Sequence, residues 1–298
     1  LTPMPTPAES LLQDAYDLHV HLAPDVVPRV QDGAELAYEA QQAGMAGMLI
    51  KDHTAPTTGA AHVLNQAWPE GTRFFSALAL NPPVGGLNPY AVAAAVREGV
   101  DVVYMPTYSA AHQIAVKGAD AFAPAYPRPG GDWAGISILD AAGALVPEVL
   151  DILDLIAEHD VVLATGHISP AEILTLLPIA RERGVSRMLV THASGATPGL
   201  SGAGQLAAVG YGAMIEHCLM GTLGENASLT PVTIRNQVRK VGVHNCLLSS
   251  DLGQAANGPV VAGFARLLES MRQVGLTDAE LRILIEDSPR RLLGSRAG

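Results

Sequence analysis

The sequence predicts a single-domain (β/α)8 barrel over residues 1–298, and three observations carry that expectation. At 298 residues the chain has the length of such a barrel, which needs roughly 250, and is long for one β-sandwich. Hydrophobic residues make up 48% of it and aromatic ones only 4%, a composition suited to many small, closely packed units. Strand-length apolar runs alternate with segments of helical period. A doubly wound open sheet would share that alternation. No linker-like stretch divides the chain into two domains.

The strands read at 16–21, 46–52, 73–80, 100–105, 160–166, 187–192, 212–217 and 245–250. Between them lie helical stretches at 33–43, 58–67, 89–98, 147–159, 170–183, 202–209, 231–241 and 259–274. Ser169-Pro170-Ala171-Glu172 is a capping box with proline at the first helical position. Asn88-Pro89 and Thr230-Pro231 repeat the cap-then-proline signal. Thr277-Asp278-Ala279-Glu280 opens one extra C-terminal helix that runs to about 293. Gly44, Gly99, Gly184 and Gly242 fall where helices should stop. The Pro-rich start, 1–10, reads as a loose tail. From Pro106 to Gly135 the chain loses its rhythm, and Tyr108, Tyr126, Arg128 and Trp133 lie there. A loop that long is a candidate lid over a substrate, with plain insertion as the alternative.

With 18 Lys+Arg against 29 Asp+Glu, net −11, nucleic acid and anionic membrane surfaces are poor partners. Cys218 and Cys246 are too few for a disulfide framework, so a reduced, cytoplasmic chain is the expectation. No apolar run reaches the ~18–20 residues of a membrane helix, and no secretory leader pattern opens the chain. The expected partner is a small-molecule substrate, with a homo-oligomer left open. Gly85-Gly86 and Gly130-Gly131 lack the Lys-Ser/Thr of a phosphate loop, and Gly-x-Ser-x-Gly is missing.

The first strand carries the chemistry, as Asp17-Leu18-His19-Val20-His21. Alternation along a strand puts residues 17, 19 and 21 on one face. Two imidazoles side by side make half of a metal site; an isolated His-x-His is more readily two surface or hydrogen-bonded histidines. The second strand ends in Lys51 and His53, the fifth in His167, the sixth in His192 and the eighth in Asp251. Barrel sites are built at the C-terminal strand ends, so these residues would share one rim. Singly, His167 could serve a backbone carbonyl, His192 could be a core group and Asp251 could cap the following segment. Five strand ends with metal-type ligands are harder to assign to coincidence. His53 shares Lys51's strand parity and suits substrate hydrogen bonding or a core place. Arg29 could pair with a substrate carboxylate or lie on the surface, and Tyr108 is a second candidate substrate contact. Glu216 and His217 end the seventh strand, and parity without a register does not say which faces inward.

His-x-His on strand 1, histidines on strands 5 and 6 and an aspartate on strand 8 together resemble the amidohydrolase superfamily of metal-dependent hydrolases. Ser288-Pro289-Arg290-Arg291-Leu292-Leu293-Gly294 is similar to the "N-P-A-R-L-L-G" helix that often follows the barrel there. The likeness spans nearly the whole chain. It is greatest to a branch with a strand-1 "D-x-H-V-H-x-x-P-D", here Asp17 to Asp25, and a strand-2 "L-K-x-H-x-x-P-T". Here the latter is Leu49 to Thr57, with Ile50 inserted between Leu49 and Lys51. Gly166-His167-Ile168-Ser169 and Thr191-His192-Ala193-Ser194 fit the same pattern.

The resemblance implies His19, His21, His167, His192 and Asp251 as ligands of one or two zinc-like divalent ions, with Asp251 moving the nucleophile's proton to the leaving group. A carboxylated lysine on strand 4 commonly bridges two ions in the superfamily, but strand 4 here ends in Met105-Pro106-Thr107. Lys51 is the substitute. Burial would neutralise its amine for carboxylation, while an unmodified Lys51 would bind an anionic group or pair with Asp17 or Asp52. The implied reaction is hydrolysis of an amide, lactam, lactone or related bond by a metal-activated hydroxide. A mononuclear decarboxylase or C–C hydrolase of the superfamily is the enzymatic alternative, and a small-molecule-binding protein on the same scaffold the non-catalytic one.

Overall fold

The computed structural model describes residues 7–118, 134–224 and 227–297. Eight strands follow in chain order: β1 (Tyr16–Val20), β2 (Gly47–Ile50), β3 (Arg73–Ala79), β4 (Val102–Tyr104), β5 (Val162–Ala164), β6 (Met188–Val190), β7 (Ala213–Cys218) and β8 (Cys246–Ser249). They form one sheet in sequential order from β1 to β8, and a parallel bridge from Val20 to Leu252 sets β1 beside the end of β8. The fold is the predicted (β/α)8 barrel. Every strand residue except Arg73 is buried, as parallel strands covered by helices require.

The helices are α1 (Pro7–Ser10), α2 (Gly33–Gln42), α3 (Thr58–Ala67), α4 (Pro89–Arg97), α5 (Ala111–Lys117), α6 (Pro147–Glu158), α7 (Pro170–Glu182), α8 (Gly202–Gly210), α9 (Pro231–Val241), α10 (Val260–Gln273), α11 (Asp278–Arg282) and α12 (Ser288–Leu293). The capping boxes at Ser169 and Thr277 form, and Asn88 and Thr230 cap their helices. Asp32 and Glu35 add a capping box that the sequence reading passed over.

By contacts the chain resolves into two compact units, one of residues 1–51, 59–75 and 217–298, the other of 52–58 and 76–216. In the first, β1 pairs with β2 through Tyr16–Gly47, Asp17–Met48 and Val20–Ile50. In the second, β4, β5 and β6 run in parallel through Val102–Val162 and Leu163–Met188.

Three expectations change. Of the stretch 1–10 read as a loose tail, Pro7–Ser10 is helical and is followed by the buried Leu11 and Leu12, while residues 1–6 lie outside the described residues. Arg282 donates to the carbonyls of Ser10, Leu11 and Gln13 and so anchors this start. The extra C-terminal helix is α11 and α12 joined by a π-helical stretch, Ile283–Asp287, just ahead of Pro289, which has no N–H to continue the ladder. The lid candidate opens with an ordered piece, α5, bracketed by a bridge from Ala110 to Ile136. Tyr126, Arg128 and Trp133 lie outside the described residues. Among the described residues, no helix is long and apolar enough to cross a membrane.

Candidate functional site

In the first unit, β1 presents its imidazoles as alternation requires. His19 and His21 are buried, with ring centres 5.5 Å apart. Asp251 lies two residues beyond β8, and its N–H donates to the His19 carbonyl at 2.9 Å. Its Oδ1 sits 3.4 Å from His19 Nε2 and 3.2 Å from His21 Nε2. Two ligands about 2.1 Å from one tetrahedral ion lie about 3.4 Å apart, so this spacing and donor set fit a divalent transition ion.

The backbone is bent to achieve it. Asp251 has φ +56°, a left-handed conformation that costs a non-glycine residue about 1–3 kcal/mol and persists only where its surroundings hold it. Gly253 then passes so close to β1 that a Cβ there would lie 2.1 Å from the His21 carbonyl oxygen.

Burial pushes the His21 imidazole down to about 3 in spite of the pull of Asp251. It is therefore neutral at pH 7, the form that ligates a metal. Lys51 is only 2% exposed, and its Nζ lies 3.0 Å from His19 Nε2. Cys218 Sγ is 3.5 Å from His19 Nδ1. Arg29 turns to Asp25, with Nε 2.6 Å and Nη2 2.5 Å from Oδ2. Asp52 accepts from Thr54 and Ala55 and organises its own turn.

Asp17 adds a residue to which the sequence reading gave no site role, although it shares the parity of His19 and His21. Its Oδ1 accepts the Ser250 N–H at 2.9 Å and the His19 N–H at 3.3 Å, tying the start of β1 to the segment that delivers Asp251. Oδ2 is buried without a hydrogen-bond partner. Burial raises this carboxyl to about 7 against the hydrogen bonds from Ser250 and His19.

The second unit carries another imidazole group. His167 and His192 stand with ring centres 4.7 Å apart and Nε2 atoms 3.0 Å apart. Gly166 allows the chain to turn into His167: its φ is +59°, and a Cβ would lie 2.3 Å from the Met105 carbonyl oxygen. His192 has φ +27°, and its N–H donates to Glu216 Oε2 at 3.0 Å. Glu216, whose facing was open from sequence, thus holds His192.

His53 completes this group, with its ring edge-on to Tyr108 at 5.9 Å and to His167 at 6.3 Å. Strand parity is not what orients it, because β2 ends at Ile50. Thr107 does, with Oγ1 2.9 Å from His53 Nδ1. Asn81, buried behind Thr107, escaped the sequence reading, because next to Pro82 it reads locally as a turn residue.

The structure therefore gathers His19, His21, Lys51 and Asp251 in one unit and His53, Tyr108, His167 and His192 in the other, and commits Arg29 to Asp25. Cys218 and Cys246 are both buried, and burial pushes the Cys246 thiol up to about 12.

Solved structures share the fold at low identity. An amidohydrolase from Pseudomonas aeruginosa matches with a TM-score of 0.65 at 10% identity, over 96% of this chain and 97% of that one. An organophosphorus hydrolase from Deinococcus radiodurans matches at 0.61 and 13%, over 96% and 94%. A 2,6-dihydroxybenzoate decarboxylase from Rhizobium matches at 0.56 and 12%, over 94% and 98%. No curated protein matches the sequence. The model of DUF6282, a family of unknown function, matches residues 14–216. The chain belongs to the DUF6282 family and has the (β/α)8 fold that it shares with the amidohydrolase.

Proposed function

We propose that the protein is a metal-dependent hydrolase of the amidohydrolase type, cleaving an amide, lactam, lactone or related bond in a small polar molecule. One observation carries the reading: two buried imidazoles and a carboxylate, drawn from β1 and the end of β8, meet at ligand spacing. His19, His21 and Asp251 would hold a zinc-like ion, and His167 and His192 supply a second pair of ligands. Such an ion acidifies a coordinated water to a pKa of about 7 and polarises a carbonyl oxygen.

The chain's own groups do the rest. Asp251 accepts the proton of the attacking water and returns it to the leaving nitrogen or oxygen as the C–N or C–O bond breaks. Lys51, buried against His19, would supply a further ligand as a carbamate, formed when its amine adds to CO2 and releases one proton to solvent. Tyr108 and His53 would contact the substrate. The acidic composition and two buried thiols support a small-molecule substrate and a reducing, cytoplasmic setting.

The test is turnover by zinc- or manganese-loaded protein on a panel of amides, lactams and lactones, with CO2 release from hydroxybenzoates measured alongside, since one structure of the same fold is a decarboxylase. Hydrolysis lost on chelation and in Asp251→Asn supports the reading. CO2 release without hydrolysis selects the decarboxylase. Metal-loaded protein that binds panel compounds but turns none over is a binding protein.

A further inference from the structure

We propose that Asn81 and Thr107 lock His53 as the Nε2–H tautomer, so that His53 presents the substrate with a hydrogen-bond donor and selects an oxygen acceptor, carboxylate or carbonyl, at that point. The substrate half of this rests on the hydrolase reading; the tautomer does not.

The inference follows from donor and acceptor arithmetic in the second unit. The Thr107 N–H is only a donor, and it lies 3.0 Å from Asn81 Oδ1. The His53 carbonyl is only an acceptor, and it lies 3.0 Å from Asn81 Nδ2. Both are backbone groups, so the amide has one orientation and no flip satisfies them. Ser109 Oγ donates to the same Oδ1 at 2.6 Å, and Asn81 Nδ2 donates its other hydrogen to Thr107 Oγ1 at 2.7 Å. All four hydrogen-bonding positions of a fully buried Asn81 are then used.

Thr107 is equally buried. Among the described residues, its Oγ1 has two hydrogen-bonding neighbours, the Asn81 amide and His53 Nδ1. Asn81 is a donor to it, so among the described residues the only acceptor for the hydroxyl proton is His53 Nδ1. A proton on Nδ1 instead would leave the buried hydroxyl with no acceptor, a loss of about 1–3 kcal/mol. With Nδ1 accepting, neutral His53 carries its hydrogen on Nε2. The ring is half-buried and braced by Tyr108. Asn81 and Thr107 act through His53 and are positioning residues.

Two-bond 15N–1H correlation spectra of 15N-histidine-labelled metal-loaded protein read the tautomer directly, with His53 assigned by its loss in His53→Gln. The expected result is an unprotonated Nδ1 and a protonated Nε2 for His53. In Thr107→Val the pattern should move toward mixed tautomers, and Thr107→Ser should restore it. Asn81→Asp should drive it toward Nδ1–H, because the introduced carboxylate takes the Thr107 hydroxyl proton. A protonated Nδ1 in the wild-type protein, or a folded Thr107→Val that keeps the wild-type pattern, overturns the assignment. With a hydrolysed substrate, Thr107→Val should raise KM about tenfold through one misaligned hydrogen bond, with recovery in Thr107→Ser; an unchanged KM would overturn the substrate contact. Because the tautomer is read without substrate, failure of every panel compound counts against the hydrolase reading alone.

Discussion

His21 Nε2 lies 3.2 Å from Asp251 Oδ1, a contact between the end of the first strand and the residues just past the last. Burial keeps His21 neutral, so the contact sets a neutral imidazole against a carboxylate and is not a salt bridge.

That burial makes stability depend on pH with a definite sign. His21 takes up a proton near 6.5 when unfolded and only near 3 when folded. The unfolded chain binds more protons in that window, so stability falls as pH drops through it. Asp17 acts the other way. Its folded carboxyl keeps a proton up to about 7 and the unfolded one loses it near 3.8, so its contribution is lost as pH rises through that range. The two slopes oppose each other in the metal-free protein. Asp17→Asn should therefore steepen the acid loss and His21→Asn should flatten it, by on the order of a few kcal/mol at the window's ends. Urea unfolding across the window measures both, and parallel curves for all three proteins would refute the assignment.

The proposed carbamate of Lys51 would set the metal count. An ammonium that is 2% exposed is costly to keep charged, and a neutral amine reacts with CO2. Protein expressed with zinc and 13C-bicarbonate should show a carbamate carbon resonance that disappears in Lys51→Arg, with metal content falling from about two equivalents to one. A wild-type spectrum without that resonance assigns Lys51 as an unmodified amine.

Glu216 should matter for His192 more than for catalysis directly. Its carboxylate accepts the N–H of a residue held at φ +27°. Glu216→Ala should cost about 1–3 kcal/mol through the orphaned N–H, and Glu216→Gln, which keeps an acceptor, should recover most of it. Thermal unfolding of both variants separates the two.

Two glycines are fixed by close approach. Gly166→Ala would press a methyl against the Met105 carbonyl at positive φ, and Gly253→Ala against that of His21. Each should destabilise by about 2 kcal/mol or more, whereas Gly59→Ala, in α3 with open space around it, should be neutral or stabilising. Denaturation midpoints of the three variants provide the check.

The alternation of apolar runs with capped helices made the eight units legible, and all eight predicted strands are present within a few residues. Period-2 alternation likewise predicted that His19 and His21 would share a face. What stayed hidden depends on distant partners. Asp17 looks like any acid on a strand until Ser250, just past β8, reaches it, and Asn81 looks like a turn residue until Thr107 and His53 close around it. The left-handed backbones of His192 and Asp251 leave no mark in residue type, since histidine and aspartate are unremarkable there. At His53 parity was no guide to orientation, because the strand had already ended at Ile50 and Thr107 orients the ring instead.

Metal content is the most direct measurement of the central claim. Elemental analysis of protein purified after zinc supplementation should find about one to two equivalents. His21→Asn and Asp251→Asn should each lose at least about tenfold in zinc affinity while keeping the wild-type circular dichroism. Wild-type protein that is folded and holds no transition metal, or variants that bind zinc as tightly as it does, would contradict the account.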